Sequence, residues 1–333
     1  MSHSISELPA KFIERLQEII PPDQQHKVLD TFVKSKSTSF RINPFRAPLR
    51  QEAIRSLRKK GIPIHPVPWY ADAFWITEKF RDRLLAHELY ASGGIYVQNL
   101  SSMIPPLVLN PQAGERILDL TAAPGSKTLQ IAALMKEQVS PQTPFGQIVA
   151  VELVRPRFYR LLRNIKLQGV YGIQPLLYNG ERFWRKAPES FDRVLLDTPC
   201  STEGRFHVSN PETYKYWSER KIKEMTRKQK KLLYSAIQCL KPGGELVYST
   251  CSFAPEENEA IITHALKKFG DAIEILPIEL PLDNIQRPLK EWRGQVFPEA
   301  VQRALRILPT ATMEGFFICH LRKTRHTLHE SSR

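Results

Sequence analysis

Apolar residues at Leu8, Phe12, Leu16, Ile19 and Ile20 recur at helical spacing and stop at Pro21-Pro22, so the chain opens on an amphipathic helix. A second short helix is expected over residues 27–33, a strand over 39–45, where the pattern switches to alternation, and a helix over 51–60. Residues 62–75 carry several prolines and read as edge strands or loops. From Gly93 short apolar runs alternate with longer helical stretches. The strands predicted there are 116–120, 147–152, 173–177, 193–197, 245–249, a weaker 273–276 and 316–321, with helices between them. This is the pattern of a doubly wound, Rossmann-like α/β sheet preceded by a small α+β domain. The division expected is 1–90 for the N-terminal domain, 91–325 for the sheet domain and 326–333 for a disordered end, the polar character beginning near Arg322. No internal repeat is visible.

Composition narrows the partners. With 48 Lys+Arg against 34 Asp+Glu, the 333-residue chain carries a formal charge of +14, which favours polyanions and nucleic acid above all. The stretch from Met1 to Ile20 is interrupted by Glu7, Lys11, Glu14, Arg15 and Glu18, so a signal peptide or membrane span is not expected there, and neither is a membrane partner. The four cysteines show neither CxxC spacing nor paired His ligands, which argues against a metal site or a disulfide framework and fits a reducing cytoplasm. No long heptad suggests anything but a monomer.

Candidate chemistry gathers at strand ends. The strand ending in Asp119 runs into a small-residue turn, Thr121-Ala122-Ala123-Pro124-Gly125-Ser126, and a helix opening near Lys127, an arrangement that lets an adenosyl ligand approach backbone amides. Glu152 ends the next strand, where an acid can take two ribose hydroxyls, and Asn179 follows the third, where an amide can read an adenine edge. Asp197-Thr198-Pro199-Cys200 and Ser249-Thr250-Cys251-Ser252 follow the fourth and fifth strands, so both thiols are expected at the cofactor edge. A helix beginning at Pro255-Glu256-Glu257 is expected to turn its N-terminal dipole on them. Cys239 and Cys319 lie within apolar segments and read as core.

A thiol beside an adenosyl cofactor suits methylation at carbon 5 of a pyrimidine, a carbon that becomes nucleophilic only after a thiolate adds to carbon 6. Asp197 is then placed to bind the cytosine N3/N4 edge. Spacing leaves Cys200 and Cys251 both open as the nucleophile. An amino-group methyltransferase would instead carry an Asp/Asn-Pro-Pro-aromatic turn where Asp197-Thr198-Pro199-Cys200 stands.

These motifs, together with Tyr96-Val97-Gln98-Asn99-Leu100-Ser101-Ser102-Met103 and Gly315-Phe316-Phe317, resemble the Sun family of RNA (cytosine-5) methyltransferases, which includes RsmB and RsmF. Phe40-Arg41-Ile42-Asn43 and the Pro68-Trp69 to Ile76 segment resemble its RsmF branch. The resemblance implies Cys251 as covalent nucleophile and Cys200 as the second thiol in product release. It also implies S-adenosylmethionine as cofactor, held by Thr121, Ala122, Ala123, Pro124, Gly125, Ser126, Lys127, Glu152, Asn179 and Asp197. The substrate implied is ribosomal RNA of the small subunit, with transfer RNA as the alternative. Glu152 and Asn179 stand where aspartate is usual, Ser126 where glycine is frequent, and Asn99 where an acid is common; a cofactor-binding assembly factor with little catalysis is the competing class. The C-terminal RNA-binding module of some longer relatives is not expected after Gly315-Phe316-Phe317.

RNA contact is expected from Arg155, Arg157, Arg160, Arg163 and Lys166 on one helix and from Lys221, Lys223, Arg227, Lys228, Lys230 and Lys231 on another. The segment from Arg205 to Trp217 reads as a loop that orders over RNA, and residues 1–90 as the domain that recognises it.

Overall fold

The structure, a computed structural model, describes residues 4–47 and 49–327. Helices Ala10–Ile19 (α1) and Pro22–Val33 (α2) open the chain. Pro22 starts α2 as well as stopping α1, because a first-turn proline surrenders an N–H that no helix uses; α2 therefore begins five residues earlier than the apolar pattern suggests. Strands Thr38–Ile42 (β1), His65–Val67 (β2), Tyr70–Ile76 (β3) and Ile95–Val97 (β4) form an antiparallel sheet in the order β2-β3-β1-β4, with helix Arg50–Lys59 (α3) between β1 and β2. The prolines do confine β2 to an edge, but proline-free β3 pairs on both sides. Because β4 pairs with β1, the division expected at residue 90 falls inside this unit.

The large sheet begins after the short helices Arg81–Leu85 (α4) and Glu88–Ala91 (α5) and the helix Leu100–Leu109 (α6). Its parallel core is Arg116–Asp119 (β5), Gln147–Glu152 (β6), Ile173–Leu177 (β7), Phe191–Asp197 (β8) and Leu240–Thr250 (β9). Ile273–Leu276 (β10), Ile285–Gln286 (β11), the hairpin Glu291–Trp292 (β12) and Gln295–Val296 (β13), Leu305–Ile307 (β14) and Phe316–Lys323 (β15) follow. The order is β11-β14-β15-β9-β8-β5-β6-β7, with β10 on the far half of antiparallel β15. Helices Ser126–Lys136 (α7), Arg155–Gln168 (α8), Glu219–Cys239 (α9) and Glu259–Phe269 (α10) supply the crossovers. The central strands β5, β6, β8 and β9 are largely apolar on both faces, as covered parallel strands must be, whereas edge strand β7 is partly exposed. Val194 and Leu196 pack with α9 and α10, whereas Leu195 between them packs with α6 and α7. Strand order reverses at β5, so the carboxyl ends of β5, β6 and β8 open on one crevice, the usual place for a ligand in such a sheet.

The polar end departs from expectation. Arg322 and Lys323 complete β15, and His326 and Thr327 bond Glu189, so order persists through 327; residues 328–333 of the expected tail lie outside the described residues.

Candidate active site

Gly125, between β5 and α7, has φ 106°, a backbone conformation that favours glycine, and a Cβ there would also press on the Leu161 methyl at 2.9 Å. Below the turn, Asp119 is buried: Oδ2 accepts from Thr128 Oγ1 at 2.6 Å and Oδ1 has no protein partner. Burial pushes its carboxyl up to about 6, with the charge of Asp197 acting in the same direction. From the first turn of α7, Lys127 donates to Asp197 Oδ2 at 2.6 Å and to Ser102 Oγ at 2.7 Å. Ser249 Oγ donates to Asp197 Oδ1 at 2.9 Å, and Thr121 Oγ1 to its carbonyl at 2.9 Å. Asp197 is thus held at both carboxylate oxygens and at its carbonyl, while one side of it faces the cleft.

Asp197 and Ser249 are register partners on parallel β8 and β9, so the loops that follow leave the sheet side by side. They bring Cys200 Sγ to 3.4 Å from Cys251 Sγ. One carboxylate ties the loops together. Glu257 Oε2 accepts from Ser252 Oγ at 2.6 Å and closely from Ser201 Oγ, while Oε1 accepts from Ser201 N and from Gln229 Nε2, each at 3.0 Å. Glu203 accepts at 2.9 Å from the Phe253 and Ala254 amides and at 2.8 Å from Trp217 Nε1. Burial, and then the charge of Glu203, pushes Glu257 up to about 7. The contact with Cys251, followed by burial, holds the Cys200 thiol above its ordinary value.

The helix expected from Pro255-Glu256-Glu257 starts four residues later, with its cap Asn258 bonded to Thr250 and Ser252 on either side of Cys251. Residues 255–258 form a turn and α10 begins only at Glu259, because the turn carries Glu257 inward to the serine hydroxyls. The cation beside the thiols is Arg205, whose guanidinium is kept charged by Glu314 and by the field of the thiols. Gly204 and Gly315 let the Cys200 loop touch the start of β15; a Cβ on Gly204 would lie 2.2 Å from Gly315 O. Cys239 and Cys319 are buried in the core, as expected, and burial pushes the Cys239 thiol up to about 12.

A cleft of about 490 Å³ is lined by Lys127, Asp197, Cys200 and Cys251 and also by Thr121, Ala123, Pro124 and Ser126. Ala122 and Gly125 are buried and do not line it. Glu152 and Asn179 end neighbouring strands outside it: Glu152 accepts from Val154 N at 2.9 Å and lies 3.5 Å from Arg157, and Asn179 caps Glu181 N at 2.9 Å. Sequence reasoning missed Ser102, Ser249, Glu257 and the support from Arg41. Arg41 is buried and donates to Gln98 Oε1 at 3.1 Å and to the Ser126 carbonyl at 3.4 Å, so the first sheet braces the glycine turn. Arg41, Ser102 and Ser249 lie within the Phe40-Arg41-Ile42-Asn43, Tyr96 to Met103 and Ser249-Thr250-Cys251-Ser252 motifs, which is the signal that marks them.

Arg157 and Arg160 border the cleft, and Arg155, Arg163 and Lys166 are exposed beyond them. The expected RNA-ordered loop is instead docked. Phe206 and Val208 are fully buried against α1 and α2, Val208 N bonds Phe32 O at 2.9 Å, and of the segment's aromatic rings only Tyr216 is strongly exposed. Among the described residues no acid, His or Cys cluster could hold a metal, and no helix is long and apolar enough to cross a membrane.

The family model for 16S rRNA methyltransferase RsmB/F matches residues 106–322, and that for the N-terminal domain of 16S rRNA methyltransferase RsmF matches residues 8–100. Ribosomal RNA small subunit methyltransferase F of Vibrio parahaemolyticus is 34% identical over 321 residues, covering 95% of this chain and 63% of its own length. The protein of the same name from Vibrio vulnificus is 35% identical over 330 residues, covering 96% and 65%. The chain therefore spans slightly under two thirds of these curated relatives. A methyltransferase homolog from Pyrococcus horikoshii superposes with a TM-score of 0.76 at 29% identity, covering 95% of this chain and all of that one.

Proposed function

Because the chain belongs to the 16S rRNA methyltransferase RsmB/F family, we propose that it methylates carbon 5 of a cytosine in small-subunit ribosomal RNA, using S-adenosylmethionine. The observation that carries the reading is the pair of sulfurs 3.4 Å apart in one cleft with the Lys127–Asp197 pair. The residues fit the cofactor. Gly125 leaves the turn open for a close approach, Asp119 Oδ1 is buried without a protein partner, and Glu152 ends the next strand as a diol-binding acid should. When bound, the cofactor supplies an electrophilic methyl group. Thr121, Ala123, Pro124, Ser126 and Lys127, which line the cleft, complete the set, with Ala122 and Asn179 behind them.

Cys251, as thiolate, adds to carbon 6 of the cytosine; its proton goes to solvent, and Arg205 faces the charge left behind. The C5=C6 electron pair moves onto carbon 5, which becomes the methyl acceptor. Asp197, held by Lys127 and Ser249, accepts from the amino group at carbon 4, while the Lys127 ammonium balances charge developing towards N3. Cys200 stays protonated and donates to the Cys251 sulfur, favouring its thiolate during attack and again during departure. Release returns the C6–S bonding pair to Cys251 as the carbon 5 proton passes to water, which restores the ring. The target must be unpaired or flipped to reach this cleft. The first sheet, with α1 and α2, recognises the RNA around it, and a cytoplasmic monomer is the working form.

Purified wild type, Cys251→Ala and Cys200→Ala should be incubated with small-subunit ribosomal RNA, with transfer RNA, and with labelled S-adenosylmethionine. The expected result is 5-methylcytosine in ribosomal RNA with wild type, none with Cys251→Ala, and a trapped protein–RNA adduct with Cys200→Ala. An adduct formed by Cys251→Ala would reverse the two thiols. A wild type that binds cofactor yet labels no RNA would sink the catalytic reading.

A further inference from the structure

On the helical layer formed by α9 and α10, the 3-10 turn Gly180–Arg185 closes a groove of about 360 Å³. It shares no lining residue with the thiol cleft. Arg182, Arg185, Lys230, Lys231, His264 and Lys268 converge on it from three segments distant in sequence. Glu181 is the single carboxylate of the lining and lies 3.5 Å from Lys231, so the other four Lys and Arg side chains have no acidic partner among the described residues. Burial, followed by the fields of Lys230 and Lys268, lowers the pKa of His264.

Aromatic rings order two of these cations. Lys268 Nζ lies 4.3 Å from the centre of Tyr234, and the Arg185 guanidinium 5.3 Å from the centre of Trp184. Tyr234 stacks on Phe269 at 5.6 Å and meets Trp184 edge-on at 5.7 Å, which makes the floor rigid. Clustered like charges repel until a counter-charge arrives, and side chains already held by rings lose less freedom when it does. A concave, pre-ordered and unneutralised cationic surface matches phosphodiesters in chemistry and in sign.

We propose that this groove binds the phosphodiester backbone of the RNA substrate away from the target base, as a second anchor beyond the catalytic cleft. The proposal rests on the RNA-methyltransferase reading for the identity of the polyanion. The groove explains how a chain whose thiol cleft receives one base could grip an extended or folded RNA.

The test compares the full chain with Arg185→Ala/Lys230→Ala/Lys268→Ala and with an equal-charge control, Arg287→Ala/Lys290→Ala/Arg303→Ala, in binding to small-subunit ribosomal RNA across a salt series. The groove variant should bind roughly tenfold or more weakly at physiological salt, and its log K against log salt slope should drop by about 2 to 3, as expected for three lost phosphate contacts. Its methylation rate at saturating RNA should equal that of wild type, so the loss appears in KM. The control should bind like wild type. Unchanged affinity and slope in the groove variant, or an equal loss in the control, would overturn the proposal. A wild type that binds RNA through the groove but forms no 5-methylcytosine would leave this inference standing and defeat the catalytic one.

Discussion

Glu257 illustrates how a single side chain can govern the site without touching a reactant. Ser201 and Ser252, each one residue beyond a thiol, share its carboxylate, so the sulfur separation follows from its geometry. Its carboxyl titrates near 7 in the folded protein against an ordinary 4.5, raised by burial and then by Glu203. Between those pH values the folded protein keeps a proton that the unfolded chain has released. Stability from this group is therefore complete below pH 4.5 and is lost as pH rises through 7, by up to roughly 3 kcal/mol. Asp119, raised to about 6, adds a slope of the same sign at lower pH, which the comparison of variants subtracts. Glu257→Gln keeps the shape of the side chain and removes its titration. Melting temperatures measured from pH 5 to 8 should fall for wild type and stay flatter for Glu257→Gln; parallel curves would show that Glu257 is not the titrating group.

Among the elements, α1 and α2 serve the catalytic loops as directly as the crossover helices do. Phe32 is fully buried and meets Phe253 edge-on at 6.3 Å, two residues beyond Cys251, while Phe12 packs on Phe206 at 4.8 Å behind the Cys200 loop. Arg15, itself buried, adds ion pairs to the partly exposed Glu256 at 2.7 Å and Glu219 at 3.0 Å. Phe32→Ala should cost about 3–5 kcal/mol by leaving a cavity there, and it should slow adduct formation at temperatures where the protein remains folded. Chemical denaturation with single-turnover labelling checks both; a stability loss with unchanged adduct kinetics would separate the helices from the loops. This interface was hidden in the sequence, where the 205–217 segment looks like a free aromatic loop, because its partners lie nearly two hundred residues away. The parallel strands were legible, since continuous apolar runs between turns announce covered strands. The two- and three-residue strands β4, β11, β12, β13 and β14 were not, because their pairing depends on neighbours that only the fold supplies. Likewise Cys200, Cys251, Asp197 and Lys127 were readable from their places after strands or a glycine turn. The inward swing of Glu257 was not: its local sequence, Pro255-Glu256-Glu257, reads as a helix start.

At the scale of the whole molecule, the N-terminal unit and the large sheet bury their apolar surfaces in each other at two places. Val67, Tyr70 and Ala73 join the core containing α6 and α7, and α1 and α2 close over Phe206, Phe253 and Trp292. Between these contacts Asn43 Nδ2 donates to Gln168 O at 2.8 Å, at the end of α8, and Arg41 reaches the glycine turn. Neither unit can open without exposing apolar surface on the other and breaking the Asn43–Gln168 and Arg41–Ser126 hydrogen bonds, which leaves buried donors short of a partner. The two units should therefore unfold as one. Native-state hydrogen exchange should give the slowest amides of β1 and β3 the same opening free energy as those of β5 and β8, and a point substitution such as Phe32→Ala should lower both sets equally. Exchange in β1 and β3 through a lower-energy opening that leaves β5 and β8 protected would show a separable RNA-recognition domain. Removal of residues 1–90 would then yield a folded catalytic unit, whereas coupled exchange predicts that the truncated chain fails to fold and cannot report on site choice.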